Sequence, residues 1–523
     1  MDTKALRQKV LDLAIRGKLV PQDPNDEPAS VLLERIRQQK QQMVKEGKLK
    51  AKDIKNDTII FVGEDNLHYE KFSDGSVKCI EDEVPFGLPD GWAWVRLGNL
   101  SAAIQYGLSN SAEPQGTHRL LRITDIQDGK VDWNAVPFTT VNDPEAYLLK
   151  TGDIVFARTG ATVGKSFLIT ETPYPSVYAS YLIRIRLLGS LSPEYIYQFF
   201  DSACYWSQIT DKSVGVGQPN CNGTSLKELF IPLPPISEQL RIVPTAQALL
   251  AYVAKIDAEK KSLLSIIMAT KSKILDLAIR GQLVPQDPDD EPASVLLERI
   301  RAEKEELIKQ GKLKRDKKES VIFRGEDNSY YEKMADGKLH CLDDQLPFEL
   351  PDGWEWCNLS MIGTTNIGLT YRPTDIEPGG IMVLRSCNIV NDQVDLNDLV
   401  RVKTTVRENQ FAQKNDILIC ARNGSRSLVG KCALIPDLGE PASFGAFMAI
   451  YRTEYFEFIV HYLRSSFFRS VFDDSNSTAI NQLTQDMLKR AIVPLPPLSE
   501  QRRIVEAIGA MLFELNQIEK SLS

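Results

Sequence analysis

The sequence predicts an α+β protein with a pseudo-twofold internal repeat. Two mixed α/β domains are joined by long antiparallel coiled-coil helices. Three observations predict it. First, the chain repeats itself. LDLAIRGKLVPQDPNDEPASVLLERIR from Leu11 returns as LDLAIRGQLVPQDPDDEPASVLLERIR from Leu275, 264 residues on. LPDGW at Leu88 returns at Leu350, and IPLPPISEQLRIV at Ile231 returns as VPLPPLSEQRRIV at Val493, both 262 residues on. The chain has 523 residues, so two copies fill it, and one core is too few. Second, the stretches between these blocks barely match. Third, one shared block carries a long apolar seam.

That seam lies between Ser237 and Arg280, a run with one proline and no glycine. Leu249, Val253, Ile256, Lys260, Leu263, Ile267, Thr270, Ile274 and Leu277 step by four and three. Seven of these nine are apolar at a period of 3.5, the pattern of a coiled coil. Gly281 supplies a stop. Pro244 should kink the helix or delay its start. The chain ends hold a second helix cut in two. Ile504, Ile508, Met511, Leu515, Ile518 and Leu522 continue the seam at one end; Leu6, Val10 and Leu13 do so at the other. We expect both pieces to pack antiparallel on the central helix. The alternative is that each helix packs only on its own domain.

The segment after each Arg-Gly pair reads as a helix. DEPASVLLERIR begins with acid and proline and carries a stripe at Val31, Leu32, Ile36 and Met43, with Gly47 as its end. Lys48, Lys50, Lys52 and Lys55 follow, and either touch phosphates or form a solvated helix end. Strand-like runs come next at Ile59–Val62 and Lys78–Ile80. A Pro-Asp-Gly turn then precedes Trp92 and Trp94. The divergent inserts alternate short β-like runs with turns. They include Arg119–Ile126, Asp153–Ala157 and Tyr181–Leu187 in the first. The second has Met382–Cys387, Asp416–Ala421 and Ala446–Tyr451. The expected organisation is a shared region 1–95, an insert 96–235, a central region 236–356, an insert 357–497 and a terminal helix 498–523.

Composition narrows the class. Hydrophobic content of 43% and charged content of 25% describe an ordinary globular chain without a membrane-length apolar run. Met1 to Lys9 carries charges and no apolar signal core, which argues against export. Eight cysteines form no CxxC pair, as expected of reduced thiols in a cytoplasm, and four histidines fall in no cluster. No metal site is expected. Net charge of −8 does not supply a broad phosphate-neutralising field. A DNA-binding role would draw much of its positive surface from a partner.

GATVGKS at Gly160–Ser166 invites a phosphate-loop reading, but the loop needs G-x-x-x-x-G-K-[ST], and the required first glycine falls on Thr159. In the second insert Gly424 and Gly430 are too far apart, and Cys432 replaces Ser/Thr. The motif the inserts share is instead a strand ending in Ala-Arg-x-Gly, followed by Val-Gly-Lys. It comprises Asp153, Ile154, Ala157, Arg158, Gly160, Val163, Gly164 and Lys165. Its mate is Asp416, Ile417, Ala421, Arg422, Gly424, Val429, Gly430 and Lys431. An arginine there either reads guanine or clamps phosphate, or pairs with a neighbouring acid. Asn and Gln amides match the adenine edge, or cap the next helix. No N-P-P-[YF] motif, cofactor glycine fingerprint or nuclease carboxylate–lysine set is present.

The doubled P-L-P-P-[IL]-S-E-Q-x-R-I-V blocks, the A-R-x-G…V-G-K loops, the L-P-D-G-W turns and the interrupted helices resemble the specificity subunits of type I restriction–modification enzymes. The resemblance covers essentially the whole chain. It implies two target-recognition domains on a conserved coiled coil, and double-stranded DNA as a ligand. It also implies modification subunits, usually two, and restriction subunits that translocate and cut. The chain itself would be non-catalytic and bind no cofactor. S-adenosylmethionine, ATP and Mg would sit on the partners. Each insert would read one half of a split, asymmetric site. The candidate DNA-contacting residues are Arg119, Arg122, Arg158, Thr159, Lys165, Gln218 and Asn220 in the first insert. In the second they are Arg385, Arg422, Asn423, Arg426, Lys431, Asn481 and Gln482. The seam from 249 to 277 spans about 42 Å at about 1.5 Å per residue, enough for about one DNA turn of roughly 34 Å. A non-reading coiled-coil adaptor and a stand-alone DNA-modifying enzyme are the rival readings.

Overall fold

A computed structural model of the chain describes residues 2–127, 129–212, 220–311, 315, 320–473 and 482–522. It divides into two compact units, Met1–Lys260 and Lys261–Ser523. The division falls inside a single helix, Ile236–Ile279. Pro244 lies within that helix and does not delay its start.

Each unit contains an antiparallel helix pair. In the first, Thr3–Ile15 runs beside the early part of the long helix. Its Thr3 hydroxyl donates to Asp257 at 2.7 Å, while Leu11 lines one cavity with Gln247 and Leu250. In the second, Leu498–Leu522 runs beside the late part. Lys271 pairs with Glu519 at 2.5 Å, and Ile504 and Ile508 share a core with Ile274, Leu275 and Ala278.

The seam follows the sequence reading except at Leu6, Leu249, Leu263, Met511 and Ile518, which are exposed. Ile267, Ile274, Ile504 and Ile508 are buried, and Val253 and Ile256 are half-buried. Leu249 and Leu263, however, are each 38% exposed, and Met511 is exposed too. Their neighbours Leu250 and Leu264 are half-buried instead, as are Asp257 and Lys271. The physical reason is local. Leu249-Leu250 and Leu263-Leu264 are doublets, so apolarity alone does not choose between adjacent frames. The polar partners Thr3 and Glu519 require Asp257 and Lys271 in the seam.

Helices Ala29–Lys45 and Ala293–Lys309 match between units. Ala29 N–H donates to the Gly91 carbonyl and Ala293 N–H to that of Gly353, each at 2.8 Å. These bonds dock the helix starts on the Pro-Asp-Gly turns. The buried stripe is Ala29, Leu32 and Ile36; Val31, expected on it, faces solvent. Gly17, at φ +64°, closes the first helix against the same turn, and a Cβ there would stand 2.6 Å from Pro89.

Small three-stranded sheets follow: Ile59–Val62, His68–Lys71 and Val77–Cys79, then Ser320–Arg324, Tyr330–Met334 and Leu339–Cys341. Their middle strands, rich in Lys and Glu, lack the alternation that marks a strand. Each insert hangs from a two-stranded neck, Ala93–Arg96 with Phe230–Leu233 and Glu355–Asn358 with Ile492–Leu495.

Beyond the neck each unit has two larger sheets, and the first unit adds a two-stranded ribbon, Ile126–Gln127 with Lys130–Val131. The first unit orders Ser166–Leu168, Ile154–Ala157, Leu182–Leu187 and Ser101–Tyr106 in one sheet. Its second sheet orders Ser176–Tyr178, His118–Leu121 and Phe138–Thr139. In the second unit, Thr364–Ile367, Met448–Arg452, Ile417–Cys420 and Cys432–Leu434 extend into Gln393–Val394 and Ile389–Val390. Val400–Val402, Ile376–Leu384 and Ala442–Phe444 form its other sheet.

Candidate nucleic-acid interface

The Ala-Arg-x-Gly…Val-Gly-Lys motif is a β-hairpin. Strand Ile154–Ala157 turns back as Ser166–Leu168, and Ile417–Cys420 as Cys432–Leu434. A strand, not a helix, follows each Lys, so the phosphate-loop geometry of strand, loop and helix N-terminus does not form. Main-chain bonds fix the equivalence between units. Gly164 N–H donates to Ala157 and Ala157 N–H to Lys165; Gly430 N–H donates to Cys420 and Cys420 N–H to Lys431. Lys165 and Lys431 therefore coincide.

The arginines do not coincide. Arg158 N–H donates to the Tyr181 carbonyl, and its own carbonyl accepts from Cys221. Ala421 and Arg422 both donate to the Phe447 carbonyl, but it is Ala421 whose carbonyl accepts from Leu483, so Ala421 makes the matching pair. Thr159 then matches Arg422, with Asn220 and Gln482 as their cross-strand partners. The reading that put Arg158 and Arg422 at one place is corrected by one residue. The extra residue belongs in the loop, after the strand, and not before the alanine.

Charge pairing separates the candidates. Asp153 and Asp416 are buried and take Arg186 and Arg452 at 2.6 Å, so the first residue of the motif is structural. Arg122 is held by Asp125 at 2.7 Å, and that hydrogen bond pushes its guanidinium above the usual range. Arg385 pairs with Asp398 at 3.0 Å. Arg119 donates to the Val136 carbonyl at 2.6 Å and lies 3.9 Å from the Phe138 ring centre and 5.0 Å from that of Tyr174. It is a packing element of its sheet. Asn423 accepts from Ser425 N–H at 2.9 Å, the turn-capping role. Thr159 accepts from the Thr162 hydroxyl at 3.3 Å.

Among the described residues, neither Arg158 nor Arg422 has a carboxylate partner. Arg158 lies 4.8 Å from the Tyr106 ring centre, and Arg422 lies 5.5 Å from that of Phe447. Lys165, Asn220, Arg426 and Gln482 are exposed, and Lys431 is half-buried. Gln218 and Asn481 lie outside the described residues.

Two residues beside these arginines escape the sequence reading. Tyr181 and Phe447 are 65% and 61% exposed and occupy one place in both units, each accepting a main-chain hydrogen bond from the hairpin loop. Each directly precedes a buried strand, so its apolar neighbours hide it. In the second unit Phe447, Arg422, Asn423, Arg385, Tyr371 and Leu369 line one cleft of about 860 Å³. An unpaired guanidinium beside an exposed ring can hydrogen-bond a base edge or phosphate while the ring stacks on a base. No group of three or more His, Cys, Asp or Glu side chains among the described residues is arranged to hold a metal ion. No helix among them is long and apolar enough to cross a membrane.

Comparison with known proteins places this geometry. The family model described as "Type I restriction modification DNA specificity domain" matches residues 89–266 and 351–522, once in each repeat. The chain is 28% identical to the type I restriction enzyme EcoAI specificity subunit of Escherichia coli, over 99% of this chain and 90% of that one. It is 26% identical to the EcoEI specificity subunit of Escherichia coli over the same shares. A chain solved in work on complex assembly and conformational transition of the type I R-M system shares the fold. Its TM-score is 0.52 at 19% identity, covering 84% of this chain and 94% of that one.

Proposed function

The chain belongs to the type I restriction modification DNA specificity family, and from that premise we propose how it reads DNA. It is a specificity subunit with two target-recognition domains. Segments 96–235 and 357–497 each read one half of a split, asymmetric DNA site. Segments 1–95, 236–356 and 498–523 form the scaffold, whose long helices act as one antiparallel coiled coil and set the half-site spacing. The chain is non-catalytic. Modification subunits, two per chain, bring S-adenosylmethionine for adenine methylation. Restriction subunits bring ATP and Mg for translocation and cutting.

The observation that supports this reading most is the pair of unpaired arginines. Arg158 and Arg422 sit on equivalent hairpins without a carboxylate, while Arg122, Arg186, Arg385 and Arg452 are all ion-paired. A cation left free beside an exposed ring is held ready for an external anion or base. The one-residue offset between the two arginines and the different hairpin loops make the two readers unlike, as an asymmetric site requires. The test is to map methylated adenines in cells carrying this chain with its partners. The reading expects one split sequence with two dissimilar halves. Methylation without a common sequence, or a single undivided one, would contradict it.

A further inference from the structure

The two small three-stranded sheets present the same chemistry to solvent twice. In the first, Phe61 stands opposite Tyr69 and Tyr69 opposite Cys79; Ile59 stands opposite Lys71 and Lys71 opposite Val77. In the second, Phe323, Tyr331 and Cys341 form one row, and Val321, Lys333 and Leu339 the other. Directly opposed residues two apart along a strand share a face. The other face carries Ile60 and Ile322, which pack around Trp94 and Trp356. All six outer positions thus keep the same residue or an aliphatic equivalent in both units.

An antiparallel sheet packed on one side ordinarily turns polar residues to water on the other. Here Val77 and Leu339 are 51% and 57% exposed. The rings stack across the strands at 5.9 Å for Phe61–Tyr69 and 6.0 Å for Phe323–Tyr331. Asp65 and Asp327 each accept the adjacent tyrosine hydroxyl at 2.7 Å, fixing the ring. The inserts diverge freely between repeats, whereas this exposed face does not. Val321 also packs partly on the second unit's core, but packing against the interior does not require the other five positions to match; an external contact does.

We propose that these two faces are docking sites for one protein partner present in two copies, each presenting an apolar patch with a basic rim. The twofold repetition selects a partner that comes twice through one surface. The hairpin turns around each face carry Glu64, Asp65 and Asp74, or Glu326, Asp327 and Asp336. Asp336 is already paired with Lys338 at 3.2 Å, and exposed Lys71 and Lys333 stand within the faces; the remaining acids of the rim suit cationic side chains of a protein partner. Resting on the functional reading above, the partner is the modification subunit.

The exposed Cys79 and Cys341 lie within the faces and report on them directly. The full chain would be alkylated with a maleimide, alone and assembled with modification subunits, without DNA. Both thiols should react freely in the chain alone and fall to the background of buried Cys357 in the complex. Cys387, exposed in a recognition domain, should stay reactive. Native mass spectrometry should find two partner copies on the wild type, one on V77D or L339D, and none on the double variant, with melting unchanged. A complete complex in which both thiols react as in the free chain overturns the proposal. So does a folded double variant that still carries two copies. If the double variant misfolds, the thiol protection of the unaltered chain decides. A complex that assembles through other faces and still methylates a split site sinks this inference alone. One that assembles here but methylates without sequence preference sinks the functional reading alone.

Discussion

The indole N–H of Trp92 donates to the buried carboxylate of Glu238 at 2.8 Å, and Trp354 does the same to Glu500 at 2.9 Å. These bonds join two of the repeated blocks, the Pro-Asp-Gly-Trp turn and the Ser-Glu-Gln helix start. They lock the neck of each recognition domain to the helix that follows it, Ile236–Ile279 or Leu498–Leu522.

Replacing Trp92 with Phe removes the donor and leaves a buried acceptor without it. The expected cost is about 1–3 kcal/mol of stability, read as a lower denaturation midpoint. Burial also raises the Glu238 carboxyl above its ordinary 4.5. A carboxyl raised on folding contributes stability below that ordinary value, and the contribution is lost as pH rises through the raised one. Glu238→Gln should therefore gain on the wild type as pH rises from about 5 to about 8. Melting series at both pH values check this. A gap that closes with rising pH would show the carboxylate to be stabilised in place.

His461 gives the second unit a buried acid-sensitive group for which the first has Gln198. Burial pushes its imidazole down to about 4 from an ordinary 6.5. Its contribution is present above 6.5 and is lost as pH falls from there towards 4. Gln198 holds the matching place in the first unit, as the pairs Trp92–Tyr195 and Trp354–Phe458 show. Hydrogen exchange at about pH 5 should open the second unit before the first, and His461→Gln should remove the difference.

Arg158→Ala and Arg422→Ala should each weaken specific DNA binding by about 1–3 kcal/mol if they make good base contacts. Tyr181→Ala and Phe447→Ala should cost about 1–3 kcal/mol each if the rings stack on bases. Melting should hardly move, because these side chains are exposed or carry no ion pair. Fluorescence anisotropy on the assembled complex, with calorimetry on the chain, measures both. A large melting shift at unaltered affinity would make them structural.

The scaffold was legible because long repeated blocks expose its periodicity. The 44-residue helix, the strands Ile154–Ala157 and Leu182–Leu187 and the Arg-Gly helix ends were readable from pattern and stop signals. The seam frame was not, because leucine doublets leave it to polar partners distant in sequence. The hairpin arginines were found by motif, but hydrogen-bond register alone placed them one residue apart. Tyr181 and Phe447 were hidden in apolar runs that end in buried strands. Arg119 looked like a reader because sequence does not show that Phe138 and Tyr174 enclose it.

If the long helix is the ruler, inserting four residues within 257–266 adds about 6 Å and turns one end by about 40°. The methylated site should then keep both half-sequences with a longer spacer, or activity should be lost. Retention of the original spacer would show that the helix does not set it.

The most direct test of two independent readers is to exchange residues 96–235 for the corresponding insert of a relative and sequence the methylated adenines. One half of the recognised site should change, and the half read by 357–497 should stay as it was. If both halves change together, or neither does, the two inserts do not read DNA separately.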